Sequence, residues 1–216
     1  LPGRDVWSGN SGGYIETVVA LPPAAIGQSV VFHWILGVDT YAGDVGWRVD
    51  TIQLCVSGDL AFDFGDAPDP TYPTLSASAG AGHVLGAGVY MGAAVDSEAD
   101  GQPTADATGD DADPSGDDED GVTFTSPLIP GSTATVDVVA TASQLLSAWI
   151  DFNGDGDWVD AGEQIFQDYW LTAGTNNLSF AVPGDASTTE SFARFRFSTQ
   201  SGLMPRGLSG DGEVED

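Results

Sequence analysis

Leu145-Leu146-Ser147-Ala148-Trp149-Ile150-Asp151-Phe152-Asn153-Gly154-Asp155-Gly156-Asp157-Trp158 changes character half-way along. In its first half Leu146, Ala148, Ile150 and Phe152 alternate with Ser147, Trp149 and Asp151, a period of two that predicts a strand. In its second half oxygen-bearing side chains fall at every second position, Asp151, Asn153, Asp155 and Asp157, and Gly156 supplies a turn. Calcium takes six to eight oxygen ligands at about 2.3–2.6 Å, and a tight loop of alternating carboxylates presents several of them together. Glu163 follows as the candidate closing carboxylate. An EF-hand loop closes with a glutamate at its position 12, between two helices. Counted from Asp151, Glu163 is the 13th residue, and the flank reads as a strand, so the pattern is a strand-borne calcium loop. The plainer alternative is an Asp/Gly-rich turn that binds nothing; four ligand-type residues in strict alternation favour the ion.

Working outward, short strands recur at Thr133–Thr141, Leu145–Phe152, Gln164–Leu171, Asn177–Val182 and Ser191–Ser198. Turn signals at Pro130-Gly131, Gly154, Gly174, Pro183-Gly184 and Gly202 separate them. Evenly spaced strands with almost no helical periodicity predict an all-β fold, an antiparallel, jelly-roll-like β-sandwich. Further upstream, 59–64 and Gly88–Met91 read as short strands. Tyr14–Leu21, Val30–Val38 and Gly46–Val56 read as three more, the second apolar on both faces and so central to a sheet. The expected division is 1–57, the last strands of a jelly-roll-like module, and 58–216, a calcium-binding β-sandwich. The start at Leu1 and the stop after Glu213-Val214-Glu215-Asp216 read as a mature or trimmed piece of a larger polypeptide.

Composition narrows the function. The chain carries 33 acidic and 5 basic residues, all five of them arginine, for a net charge of −28. That surface repels nucleic acid and anionic lipid. Six Trp and ten Phe within a 41 % hydrophobic composition predict a packed core rather than disorder. With Cys55 as the one cysteine, no intrachain disulfide can form, and bound cations are the candidate replacement. No apolar run is long enough to be a membrane-spanning helix, so no membrane insertion is expected.

The acids are concentrated: eleven in 96–120, five in 151–163 and four in 211–216. From Thr71 to Gly121 the sequence is mostly Gly, Ala, Asp, Ser, Thr and Pro, and a loop that long needs something to order it. Asp96-x-Glu98-x-Asp100-Gly101 repeats the alternating-ligand pattern, and with Asp110, Asp111, Asp118 and Asp120 it forms a candidate second calcium cluster. A solvated acidic linker is the alternative.

Four blocks carry a family resemblance: Asp63-Phe64-Gly65-Asp66-Ala67-Pro68-Asp69; Val95 to Pro103; Gly109-Asp110-Asp111 with Asp117 to Val122; and Ala148 to Phe166 with Ala193-Arg194-Phe195-Arg196 and the terminal Gly212-Glu213-Val214-Glu215-Asp216. Over about residues 60–216 the chain resembles the GEVED domain, a bacterial extracellular module. Residues 1–57 resemble the last strands of jelly-roll modules that accompany secreted bacterial peptidases and adhesins. The resemblance implies a secreted or cell-surface multidomain protein in which this module is non-catalytic, calcium-bound and adhesive or structural.

Catalysis finds little footing. His33 and His83 are the two histidines, neither in a zinc-protease motif, and no Gly-x-Ser-x-Gly turn exists. His33 reads as a sandwich histidine, His83 as a hydrogen-bond partner of an acid, and Cys55 as core. Arg194 and Arg196 share one strand face and are expected to pair with buried carboxylates or with the rim of a cation site. Trp149, Trp158, Tyr169 and Trp170 read as core or edge residues, or as a sugar-stacking platform. Two further readings of the whole stand beside the calcium module. One is a subunit that other copies complete by strand addition. The other is a carbohydrate-binding or substrate-targeting appendage of a secreted hydrolase, and the partners expected beside calcium are other copies of the chain or a surface glycan or protein.

Overall fold

The computed structural model of the chain describes residues 60–86, 88–109 and 119–216, together with residue 31. The expected strands within 1–57, His33, Cys55 and the acids Asp110, Asp111, Asp113, Asp117 and Asp118 lie outside the described residues.

Three sheets make up the described fold. The central one has the order β10 (Glu213–Glu215), β8 (Ala193–Ser198), β5 (Leu145–Ile150), β6 (Gln164–Trp170), and every pair in it is antiparallel. Against one of its faces lies the antiparallel sheet β3 (Val122–Phe124), β4 (Thr133–Ala140), β7 (Gly174–Ala181). The third sheet joins β1 (Phe62–Phe64), β2 (Ala81–Val84) and β9 (Gly207–Ser209). The all-β sandwich read from strand spacing is therefore present, with one exception to its antiparallel order: β2 and β9 run parallel.

The sandwich core follows from the alternation. Val136 and Val138 of β4 and Leu178 and Phe180 of β7 meet Leu146, Ala148 and Ile150 of β5, Phe166 of β6 and Phe195 and Phe197 of β8. Phe180 holds Phe124 and Phe166 in edge-on contact at 6.3 and 6.1 Å, a geometry aromatic quadrupoles favour. On the other face of the central sheet Trp149 joins Ala67, Tyr72, Trp158 and Leu203 in a smaller cluster. Residues Leu146–Ile150 of β5 are buried on both sides as a result, and small Ser147 and Ala148 leave room for the neighbours.

The glycine- and aspartate-rich stretch from Thr71 holds β2 and a short 3₁₀ turn at Ser76–Ser78, and Gly88–Met91 forms no strand beyond a single bridge from Met91 to Ala140. Its backbone is tied down largely by carboxylates. Asp69 accepts from the amides of Thr74 and Leu75 and the hydroxyl of Ser78. Asp100 accepts from Ser76 and Gly101, Asp66 from Gly109, Glu98 from Phe64, and Asp120 from Ala93. Charge-assisted bonds of this type are stronger than neutral ones, and they hold Asp69 and Asp100 below the ordinary carboxylate range. For Asp69 they do so against burial, the largest influence, and for Asp100 the Ser76 amide leads. Among the described residues no helix is long and apolar enough to cross a membrane.

Candidate metal centre

The β5–β6 hairpin brings the ends of the acidic loop together. Its register sets Trp149 opposite Gln164, and the Ile150 amide donates to the Glu163 carbonyl at 2.9 Å. Asp151, just past β5, and Glu163, just before β6, therefore face each other across the neck of the loop. A carboxylate oxygen from each of Asp151, Asp155 and Glu163 lies within 4.8 Å of the other two. Asp151 is fully buried and Glu163 is 2 % exposed. Gly156 sits at φ +95°, a backbone conformation that requires glycine, and a Cβ there would also come within 2.6 Å of Thr71 Cγ2.

Asp151 is held on every side. Its Oδ1 accepts from the Gly154 amide and its Oδ2 from the Gly156 amide and the Tyr72 hydroxyl, the last at 2.6 Å. Its own amide donates to the Phe192 carbonyl, and its carbonyl accepts from the Ser191 hydroxyl. Glu163 differs. One oxygen, Oε2, takes the Asp160 amide at 3.0 Å, while Oε1 is buried with no hydrogen-bond partner. Burial pushes the Glu163 carboxyl up, and the charges of Asp151, Asp160 and Asp155 add to the rise against the opposing Asp160 amide. A buried carboxylate beside like charges is costly unless a cation compensates them. The donor set is all oxygen and carboxylate-rich, which suits a hard divalent cation. The residues present thus fit a metal ion on chemistry as well as spacing.

The other expected ligands divide. Asn153 is engaged within the loop: its Oδ1 accepts from the Asp155 amide, and its Nδ2 donates to Asp155 and Asp160. Asp157 accepts from the Val159 amide and belongs to a second, more exposed group with Asp155 and Asp160. Asp160 was not among the expected ligands, because it breaks the every-second-residue pattern. No sequence period marks it; the structure brings it in through the turn that sets the Asp160 amide on the Glu163 carboxylate. Of the expected second cluster, Asp96, Glu98, Asp100 and Asp120 are described, and the last three accept backbone amides as above. The carboxylate groups of three that could share an ion, among the described residues, both lie in 151–163.

The terminal residues form a separate polar lock. Glu213 accepts from the Met91 amide, Glu215 from Gly121, and the Val214 amide donates to Asp63. Asp216 accepts from the amides of Asp66 and Ala67 and pairs with Arg194 at 2.5 Å, both side chains fully buried. A Cβ on Gly65 would stand 2.2 Å from that Asp216 carboxylate, so the approach needs a glycine. Arg194 also donates to the carbonyls of Pro73 and Pro205 and to the Thr74 hydroxyl, and its guanidinium lies 4.7 Å over the Trp158 ring. Arg196 donates to the carbonyls of Met204, Arg206, Gly82 and Gly207 and, through Nε, to Nε2 of His83 at 2.9 Å. With Nε2 accepting, the His83 proton sits on Nδ1 and is donated to the Asp211 carbonyl. Burial and then the Arg196 charge hold His83 well below its ordinary 6.5. Burial and then the Arg194 charge bring Arg196 down to about 9, so it stays a cation at neutral pH. The acid expected as partner of His83 is thus replaced by a carbonyl and an arginine. Of the four aromatics read as a sugar platform, Trp149 and Trp158 are buried, whereas Tyr169 and Trp170 are exposed on β6.

The loop between β5 and β6, the two arginines of β8 and the terminal residues of the lock fall in one continuous segment, while the lock's partners Asp63, Met91 and Gly121 lie upstream of it. Residues 145–216 match the GEVED domain family. The matched span runs from the start of β5 to the last residue and so contains the whole candidate metal loop, Arg194, Arg196 and the terminal motif that gives the domain its name. The GEVED domain is an extracellular-type, β-rich module. Residues 60–144, which supply Tyr72, Asp63, Asp66 and His83 to that domain's contacts, lie upstream of the match. The chain has no match among the curated proteins or the solved structures.

Proposed function

We propose that this chain is a calcium-binding, non-catalytic structural or adhesive module of a secreted or cell-surface protein, with the ion held by Asp151, Asp155 and Glu163. The observation that carries the reading is Glu163 Oε1: a buried carboxylate oxygen with no hydrogen-bond partner, beside two further carboxylates. The ion would neutralise the loop's charge and tie the β5–β6 hairpin shut where a disulfide is not available. Calcium is favoured over magnesium because its coordination shell is flexible and accepts an irregular set of carboxylates, while magnesium demands near-octahedral geometry. A non-catalytic role is supported by His83, the one described histidine, being sealed between Arg196 and a carbonyl.

The test is thermal unfolding in calcium and in excess EDTA, with native mass spectrometry to count ions. At about 100-fold excess over Kd a bound ion adds about 2.7 kcal/mol, which corresponds to a Tm difference of roughly 5–10 °C for a domain of this size. Identical melts with no bound metal would refute the reading.

A second reading, association of copies by strand addition, draws on β6. Among the described residues β6 is paired on one side only and exposes Tyr169 and Trp170. Sedimentation with and without calcium tests it, and a monomer under both conditions excludes it.

A further inference from the structure

The first ligand of the proposed ion is not held by its own loop alone. Tyr72 belongs to the segment packed on the far face of the central sheet, outside the matched span, and it reaches Asp151 across 79 residues of chain. Its ring is clasped between Trp158 at 4.6 Å, a residue of the acidic loop, and Phe192 at 4.9 Å. Trp158 in turn donates its indole N–H to the Phe192 carbonyl, the same oxygen that receives the Asp151 amide. The phenol is 5 % exposed, so no water competes easily for its proton. Its hydroxyl fixes which way the Asp151 carboxylate faces and draws charge from Oδ2, while the two glycine amides fix the rest.

Resting on the calcium reading, we infer that Tyr72 is a positioning residue for the ion, and that through the Tyr72–Asp151 bond the ion controls how firmly the 66–75 segment docks on the GEVED domain. Without the ion, Asp151 faces the charges of Asp155 and Glu163, and the loop relieves that repulsion by opening. Opening moves Asp151 and Trp158 together, which removes both the acceptor and one wall of the Tyr72 site. With the ion bound, the loop is closed and the tyrosine has its full set of contacts. Coupling of this kind is reciprocal: whatever the ion adds to docking, docking adds to ion affinity. Groups that orient a metal ligand typically change affinity 10- to 100-fold when removed.

Two measurements on the whole chain decide it. Calorimetric calcium titration of wild type and Tyr72→Phe, which keeps the ring and deletes the hydroxyl, is expected to show a Kd about 10-fold weaker in the variant. Hydrogen exchange is expected to show that calcium slows the amides of Thr74 and Leu75, which are bonded to Asp69, in wild type and does so far less in Tyr72→Phe. An unchanged Kd with unchanged protection in the variant overturns the inference and leaves the calcium reading standing. A wild-type protein that binds no calcium removes both. If Tyr72→Phe fails to fold, the wild-type exchange data still decide: calcium-dependent protection confined to 150–165, with none at 74 and 75, overturns the inference.

Discussion

The two faces of β8 are built on opposite principles. Phe195 and Phe197 point into a hydrocarbon core, where packing is graded and non-directional. Arg194 and Arg196, one residue out of phase, point into an equally dry layer where each guanidinium donates to named oxygens or to an imidazole nitrogen. The first face tolerates small errors, because losing a methylene costs in proportion to what is lost. The second does not, because a buried charge without its partners costs the full desolvation of that charge. The largest expected effect therefore comes from breaking the polar face. Asp216→Ala leaves Arg194 buried without its carboxylate and removes the acceptor of the Asp66 and Ala67 amides. A loss of about 3–5 kcal/mol is expected by denaturant unfolding. A loss under about 1 kcal/mol would mean that the carbonyls of Pro73 and Pro205 suffice for Arg194.

The same contrast explains what the sequence made legible. Strands β4, β5, β6, β7 and β8 announce themselves through period-two alternation and turn residues, because one face of each meets hydrocarbon. β2, β9 and β10 do not. Ala81-Gly82-His83-Val84 is short and holds its place through His83 and Arg196, and Glu213-Val214-Glu215 is polar in composition yet buried, since its acids cap the amides of Met91 and Gly121. Local pattern carries no trace of bonds made across 94 to 151 residues. The grouping of Asp151, Asp155 and Glu163 was legible because alternation and hairpin closure act locally. Asp160 escaped because it follows no such period, and Tyr72 because it arrives from a distant segment.

Next in size is Glu163→Gln, which separates charge from packing in the loop. The amide keeps the volume and an acceptor for the Asp160 N–H. Ion affinity is expected to fall about 100-fold or more, since charge count sets affinity in such sites. The stability of the ion-free protein is expected to move the other way. The Glu163 pKa is raised in the fold, so the group's contribution is fully present below its ordinary 4.5 and is lost as pH rises through the folded value. At neutral pH the ionised side chain is thus a liability unless the proposed ion is bound. Melting in EDTA should rise for the variant and melting in calcium should fall. A variant destabilised in both would point to a packing role alone.

His83 probes the polar face through pH. Its pKa is lowered in the fold, so above about 6.5 both folded and unfolded forms are neutral and the group costs nothing. Below that the unfolded chain takes up a proton that the sealed native ring refuses, and stability falls by about 1.4 kcal/mol per pH unit until the folded pKa is reached. Unfolding curves at pH 6.5 and 5.5 measure the slope, and the His83 imidazole resonance should not titrate between them. A resonance that moves with an ordinary midpoint would show that the ring is open to solvent.

The smallest effect belongs to the apolar face, and its size is what makes it useful. Ile150→Val removes one methylene from the sandwich core, one residue before the first proposed ligand. Its cost should be about 0.5–1.5 kcal/mol. Because the side chain packs in the sandwich core and the Ile150 amide still donates to the Glu163 carbonyl, the neck of the hairpin should be unchanged. The loss should then be the same in calcium and in EDTA, and calcium affinity should match wild type. If instead the cost grows in calcium, the core and the ion site are one cooperative unit. The division between a graded face and an all-or-none face would then hold only at the level of contacts and not of energetics.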